Sequence, residues 1–299
     1  MISAIHAWLG EQLPGNVDEK AQAWYAKSCA EVAAGVSDTR FASLISMASR
    51  YARRRPAQIT SAASAQASRL LTGWNPERWS LLDLLRVGLV LARPDLETPT
   101  AVKAIVGACK FGDVGELCAL YRSFCFLPQP ADYLWQAGEG CRSNMNEVFE
   151  SMACDNPYPA ANFDDTAWRA LVVKAVFIGA PLWRVHGLDD RLGDEIAHVA
   201  LDLADERRSA GRVLQPELWL CLGTHGGERA FKSMLVETKA PEIESRRAAA
   251  LALGRAGHQG PLGDLRKTET DTEVLATIEL ALAGETDQTQ FRALQAYAH

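Results

Sequence analysis

A chain of 299 residues with 48% hydrophobic content can bury a sizeable core, as one large domain or two. Its formal net charge of −6 argues against a nucleic-acid partner, and Arg53-Arg54-Arg55 is too short to form a basic stripe; it reads as a solvated helix end. The longest apolar run, Ala170 to Trp183, is broken by Lys174 and falls short of the roughly 20 residues that cross a bilayer.

The first residues show no basic segment ahead of an apolar one, so no signal peptide is expected and the chain is placed in the cytoplasm. Seven cysteines without a C-x-x-C pair agree with a reducing compartment and read as small core residues. Alternating strand patterns bounded by turn residues are almost absent, and the apolar spacing is helical. In order, helices are expected over Ile2–Leu13, Asp18–Ala34, Asp38–Arg54, Ser61–Leu71, and from an Asn75-Pro76 cap to Ala92. Further helices follow over Thr98–Phe111, Val114–Phe126, Asp132–Ala153, Asp164–Ile178 and Asp189–Gly211, with a short one over Gln215–Leu222.

Beyond Gly226 come a helix over Gly227–Thr238 and another opened by Pro241. Residues 246–257 align with 273–284 at a spacing of 27, matching Ala249 with Ala276, Leu253 with Leu280 and Gly257 with Gly284. That period fits stacked helix pairs of HEAT-like type; two unrelated amphipathic helices are the plainer alternative.

Three features between Ser143 and Trp219 are not generic helix. The first joins a helix end to a loop: Cys141, Met145, Val148, Phe149 and Met152 form one apolar stripe, with Asn144 at its edge, able to bind either loop backbone or a ligand. Asp155-Asn156-Pro157-Tyr158-Pro159 then forms a stiff loop, suited equally to a binding site or a rigid corner. Second, Lys174 is the single charge of a helix otherwise apolar on every face between Arg169 and Arg184. Such a helix is expected to be central, and its lysine to be partly buried with Asp155 or Asp189 as partner, or to snorkel to the surface. Third, His186-Gly187-Leu188-Asp189-Asp190 superficially looks like an acidic Mg²⁺-diphosphate motif of prenyl transferases. No second acidic motif faces it, and the acids read as a helix cap. His186 and His198 lack any metal-ligand spacing, and no nucleophile elbow, P-loop or dinucleotide fingerprint is found, so no catalytic residue, metal or cofactor is assigned.

Asn144-Met145, Val148-Phe149-Glu150, Asn156-Pro157-Tyr158-Pro159, Phe163, Lys174-Ala175-Val176-Phe177, Gly187-Leu188-Asp189, Glu206-Arg207, Ala210-Gly211-Arg212 and Pro216-Glu217-Leu218-Trp219 together resemble the EboA family. The resemblance is strongest from Ala119 to Gly223, beginning with Leu120-Tyr121-Arg122, and reaches upstream to Trp74; it departs at Arg169 and at Leu192-Gly193. It implies a cytoplasmic protein of a cluster that includes a UbiA-type membrane prenyltransferase and TIM-barrel proteins, moving secondary-metabolite precursors toward the periplasm. It implies no reaction.

The expectation is therefore an all-α, α-solenoid-like fold of antiparallel helix pairs. Residues 1–225 would form an EboA-like domain, with HEAT-like repeats over 226–299 packed on it. The function expected is that of an adaptor or small-molecule carrier in metabolite traffic, its partners being proteins of the same pathway. An enzyme centred on Lys174 and a purely protein-binding scaffold are the alternatives. The candidate ligand residues are Asn144, Asp155, Asn156, Tyr158, Lys174, His186 and Asp189.

Overall fold

The structure, a computed structural model, describes residues 1–294. It is all-α: among the described residues there is no strand, only isolated bridges at Pro14–Val17 and Pro56–Ser80. No described helix is long and apolar enough to cross a membrane. Packing divides the chain into two compact units, Met1–Asp164 and Asp165–His299.

The first unit is built from α1 (Ile2–Glu11), α2 (Glu19–Ala33), α3 (Asp38–Met47), α4 (Ser61–Leu70), α5 (Leu81–Leu91), α6 (Pro99–Phe111), α7 (Val114–Ser123), α8 (Leu134–Arg142), α9 (Asn146–Ala153) and the short α10 (Tyr158–Asn162). Side chains of Asp18, Ser37, Thr60, Ser80, Thr98 and Asp113 accept a backbone N–H at six of the helix starts, satisfying donors that have no partner inside the helix. The central helix is α5, every residue of which is buried, including Asp83 and Arg86. It packs against α1, α2, α3 and α7. Asp83 is held on all sides: Oδ2 accepts from Ser80 N and Oγ at 2.7 Å each, and Oδ1 meets Arg122 of α7 at 2.6 Å. At Gly88 the α2 helix comes so close that a Cβ would lie 2.0 Å from the Tyr25 hydroxyl.

Two expected boundaries differ in this unit. Asn75 does not open a helix: its Oδ1 accepts from Glu77 N at 3.0 Å in a local turn, and α5 begins only after the Ser80/Asp83 capping box. The single helix expected over Asp132–Ala153 is two, because the Ser143 hydroxyl accepts the Met145 N–H at 3.1 Å, a local bond that competes with the helical ladder. The apolar stripe drawn through that point is therefore interrupted, and Met145 is exposed.

The second unit contains α11 (Asp165–Ile178), α12 (Asp194–Ser209), α13 (Gly227–Glu237), α14 (Ile243–Arg255), α15 (Gln259–Thr268) and α16 (Thr272–Leu282), with 3₁₀ turns over Leu182–Arg184, Asp189–Arg191, Pro216–Cys221 and Gln288–Leu294. Its hub is α14, which touches α13, α15, α16, Pro216–Cys221 and Gln288–Leu294. The Ala-rich sequence has a physical reason: α14 and α16 approach so closely that a Cβ at Gly254 would lie 2.9 Å from that of Ala281. Packing is continuous across Gly226, since Pro216–Cys221 contacts both α12 and α14.

The helices α14 and α16, which the 27-residue alignment pairs, end identically. Gly257 and Gly284 adopt φ of 78° and 81°. His258 N donates to Leu253 O at 2.9 Å, and Glu285 N to Leu280 O at 2.9 Å, in matching Schellman caps. The α11 helix is not central as expected. It buries one face, through Trp168, Leu171, Val172, Ala175 and Val176, and leaves Phe177 54% exposed.

Candidate functional site

The expected site residues fall in both units. In the first, the Asp155–Pro159 loop forms a corner between α9 and α10. Asp155 sits in the left-handed region at φ 55°, half-buried, and its carbonyl accepts from Asn75 N at 3.2 Å. Asn156 is 3% exposed and fully engaged: Nδ2 donates to Tyr121 O and Ser151 O at 3.2 Å each, while Oδ1 accepts from Tyr158 N at 3.0 Å. Tyr158 is buried, its hydroxyl donates to Pro130 O at 2.6 Å, and its ring meets Phe124 and Phe163 edge-on. Burial, with a smaller effect from Tyr133, pushes this phenol well above the usual tyrosine range. These side chains hold α7, α9 and the Pro130 turn together. Asn144 lies outside this knot, exposed on the turn between α8 and α9.

In the second unit, Lys174 is half-buried on α11, and His186 is half-buried ahead of the Gly187 turn, which adopts φ 72°. Asp189 is exposed but bound, forming an ion pair with Arg255 of α14 through both carboxylate oxygens. Next to it, Arg191 lies 4.8 Å over the Trp168 ring, and the Trp168 indole donates to Arg191 O at 3.1 Å. The Gly-Leu-Asp turn thus ties α11 and α14 into one unit.

Sequence reasoning did not single out a groove of about 860 Å³ between α3 and α6 in the first unit. Thr39, Ala42, Ser43 and Ser46 line it at helical spacing from α3, and Lys103, Ala104, Gly107, Ala108 and Phe111 from α6. Small side chains on both faces are the reason space remains; a Cβ added at Gly107 would meet nothing within 4 Å. Ile45 and Met47 add apolar surface, and Phe111, the last residue of α6, is 84% exposed. The volume lies in the range of small-molecule sites, roughly 300–1,000 Å³.

The groove is lined by two acids, Asp38 and Glu116, and three cations, Arg40, Arg50 and Lys103. Of the cations lining it, Arg40 is held by Glu31 at 2.6 and 2.9 Å. Arg50 and Lys103 are exposed, with no carboxylate in ion-pair range among the described residues. Behind the lining residues Ile45 and Glu116 lies Arg86, 1% exposed. Its Nε donates to Ile45 O at 3.1 Å, its Nη2 stands 3.7 Å from Glu116, and its Nη1 has no hydrogen-bond partner among the described residues. Burial pulls this guanidinium below the usual arginine range, against the opposing pull of Asp113 and Glu116. The signal was present in the sequence: Arg86 and Asp83 are lone charges in an apolar helix, as Lys174 is.

The chain is thus all-helical among the described residues, with a groove between α3 and α6 and a buried polar corner at Asn156 and Tyr158. It belongs to the EboA family: the family's sequence model, described as metabolite traffic protein EboA, matches residues 1–223, and the protein's role is in metabolite traffic. No curated protein and no solved structure matches the chain. The matched span covers the whole first unit and runs on through Pro216–Cys221. It thus contains the α3–α6 groove as well as the Asn-Pro-Tyr-Pro corner.

Proposed function

We propose that the protein is a non-catalytic carrier that holds a small apolar metabolite in the α3–α6 groove, serving export of a secondary-metabolite precursor from the cytoplasm. The observation that carries this reading is the groove itself: about 860 Å³ of space walled by Ala42, Ile45, Ala104, Ala108 and Phe111 within a family assigned to metabolite traffic. The apolar part of this wall binds by removing apolar surface from water, at about 25 cal/mol per Å². Delivery would be to other proteins of the pathway, with HEAT-like pairs over 226–299 as the adaptor face.

Gly107→Trp tests the reading. A Cβ at Gly107 meets nothing within 4 Å, the groove beside it is larger than an indole, and replacing a helical glycine removes an unfavourable helix former. The variant is expected to keep its melting temperature, lose binding of an apolar probe such as 1-dodecanol, and fail to support metabolite export in cells. Unchanged export would overturn the carrier role of this groove.

A second reading places the chemistry at Lys174, with His186 and Asp189 of the same unit, as an enzyme acting on the precursor. It is favoured by one observation: Lys174 is half-buried and is the one charge of α11 between Ala170 and Ile178. Lys174→Met keeps the apolar length and removes the charge. The carrier reading expects this variant to export normally; loss of export in a folded Lys174→Met protein would move the site to Lys174.

A further inference from the structure

We infer that the groove's ligand is an amphipathic anion, its apolar body lying between α3 and α6 and its phosphate-class head held by Arg50 and Arg53 in the adjoining cleft. This rests on the carrier reading and adds the chemical class of the cargo.

Arg50 lines two concavities. One is the groove; the other is a cleft of about 550 Å³ in which Arg50, Arg53 and Arg55 stand beside Asn16, Asp18 and Tyr51. The three arginines line one cleft because α3 ends in a 3₁₀ turn over Ala48–Arg50, after which the chain passes back toward the start of α5. The one acid of the cleft is already committed: Asp18 accepts Ala21 N at 2.8 Å as the cap of α2. Arg55 gives Nη2 to Asn16 O at 3.0 Å, whereas Arg50 and Arg53 are exposed and have no carboxylate in ion-pair range among the described residues. In a chain of net charge −6, this is a local reversal of sign.

Guanidinium forks match the paired oxygens of phosphate or carboxylate, and several arginines lining one cleft favour the more highly charged phosphate. A purely apolar cargo would leave these cations without a role at the groove's end. A free anion would leave the apolar wall of Ile45, Ala104 and Phe111 without one.

The test is calorimetric titration of the full chain with monomeric dodecyl phosphate, 1-dodecanol, inorganic phosphate and phosphatidylglycerol vesicles. Dodecyl phosphate is expected to bind at least about tenfold tighter than dodecanol, an advantage that shrinks with salt. The Arg50→Ala/Arg53→Ala double variant should erase that advantage while dodecanol binding persists, and Gly107→Trp should weaken both ligands. If wild-type protein binds the two equally while Gly107→Trp blocks both, the anionic head is wrong and the carrier reading stands. If Gly107→Trp leaves both unaffected, the groove reading itself fails. Binding to the vesicles without binding to monomeric dodecyl phosphate would assign the arginines to a membrane surface and overturn the proposal, as would inorganic phosphate binding as tightly as dodecyl phosphate.

Discussion

Asn156 and Tyr158 carry the most specific part of the family resemblance, and their polar atoms are directed inward. Asn156 bridges the carbonyls of Tyr121 and Ser151 and receives the N–H of Tyr158. A buried amide so placed contributes through the groups it satisfies; removing it leaves them dry and unpaired. Asn156→Ala is therefore expected to lower stability by about 1–3 kcal/mol, measured by urea unfolding, with binding at the α3–α6 groove unchanged in the folded fraction. A variant as stable as the wild type would show that the corner does not depend on this amide. The sequence made the loop's stiffness legible through Pro157 and Pro159, but it could not say which way the amide pointed. The same limit applied to lone charges. Lys174 drew attention in an apolar helix, while Arg86 and Asp83, in one more completely buried, did not. Periodicity cannot distinguish a helix covered on all sides from one whose apolar outer face is left open.

Helix ends were legible wherever a side chain or a glycine fixes them locally. Pro99–Phe111, capped by Thr98, falls where Thr98-Pro99 placed it, and Gly257 and Gly284 close α14 and α16 with the same cap. Boundaries failed where a local bond competed with the ladder, as Ser143 does between α8 and α9 and Asn75 does before α5. The tightest helix contact was hidden altogether, because it depends on an atom that is missing. Gly88 lets α2 lie against α5, with Tyr25 occupying the position of the absent Cβ. In an isolated helix Gly88→Ala would be favourable by about 1 kcal/mol. Here the methyl overlaps a buried phenol, and overpacking of that kind costs about 1–3 kcal/mol. The melting temperature is expected to fall; a rise would mean that Tyr25 leaves the α2–α5 contact without cost.

At the scale of the molecule, the second unit has no seam at Gly226. Pro216–Cys221 rests on α14, and Asp189 is held by Arg255, so residues on either side of that glycine share one core. Truncation after Gly226 would remove α13 to α16 and expose the faces of α12 and Pro216–Cys221 that they cover. The shortened chain is expected to melt below the full one, by about 2–4 °C for each kcal/mol lost in a chain of this size. Equal melting temperatures would make 227–299 an independent appendage and remove the basis for a stacked array.

The sequence by itself determined the all-α class, most helix positions, the lack of a membrane-spanning helix among the described residues and the family, because these rest on local spacing, caps and motif residues. Only the tertiary structure decided that α5 is the central helix, that Asn156 and Tyr158 face the core, and that Asp189 is bound to Arg255 across 66 residues. It also decided that small residues on α3 and α6 leave a groove between them. The physical reason is common to all four. Burial, pairing and empty space are properties of two surfaces meeting, and the spacing along one segment describes only one of the two.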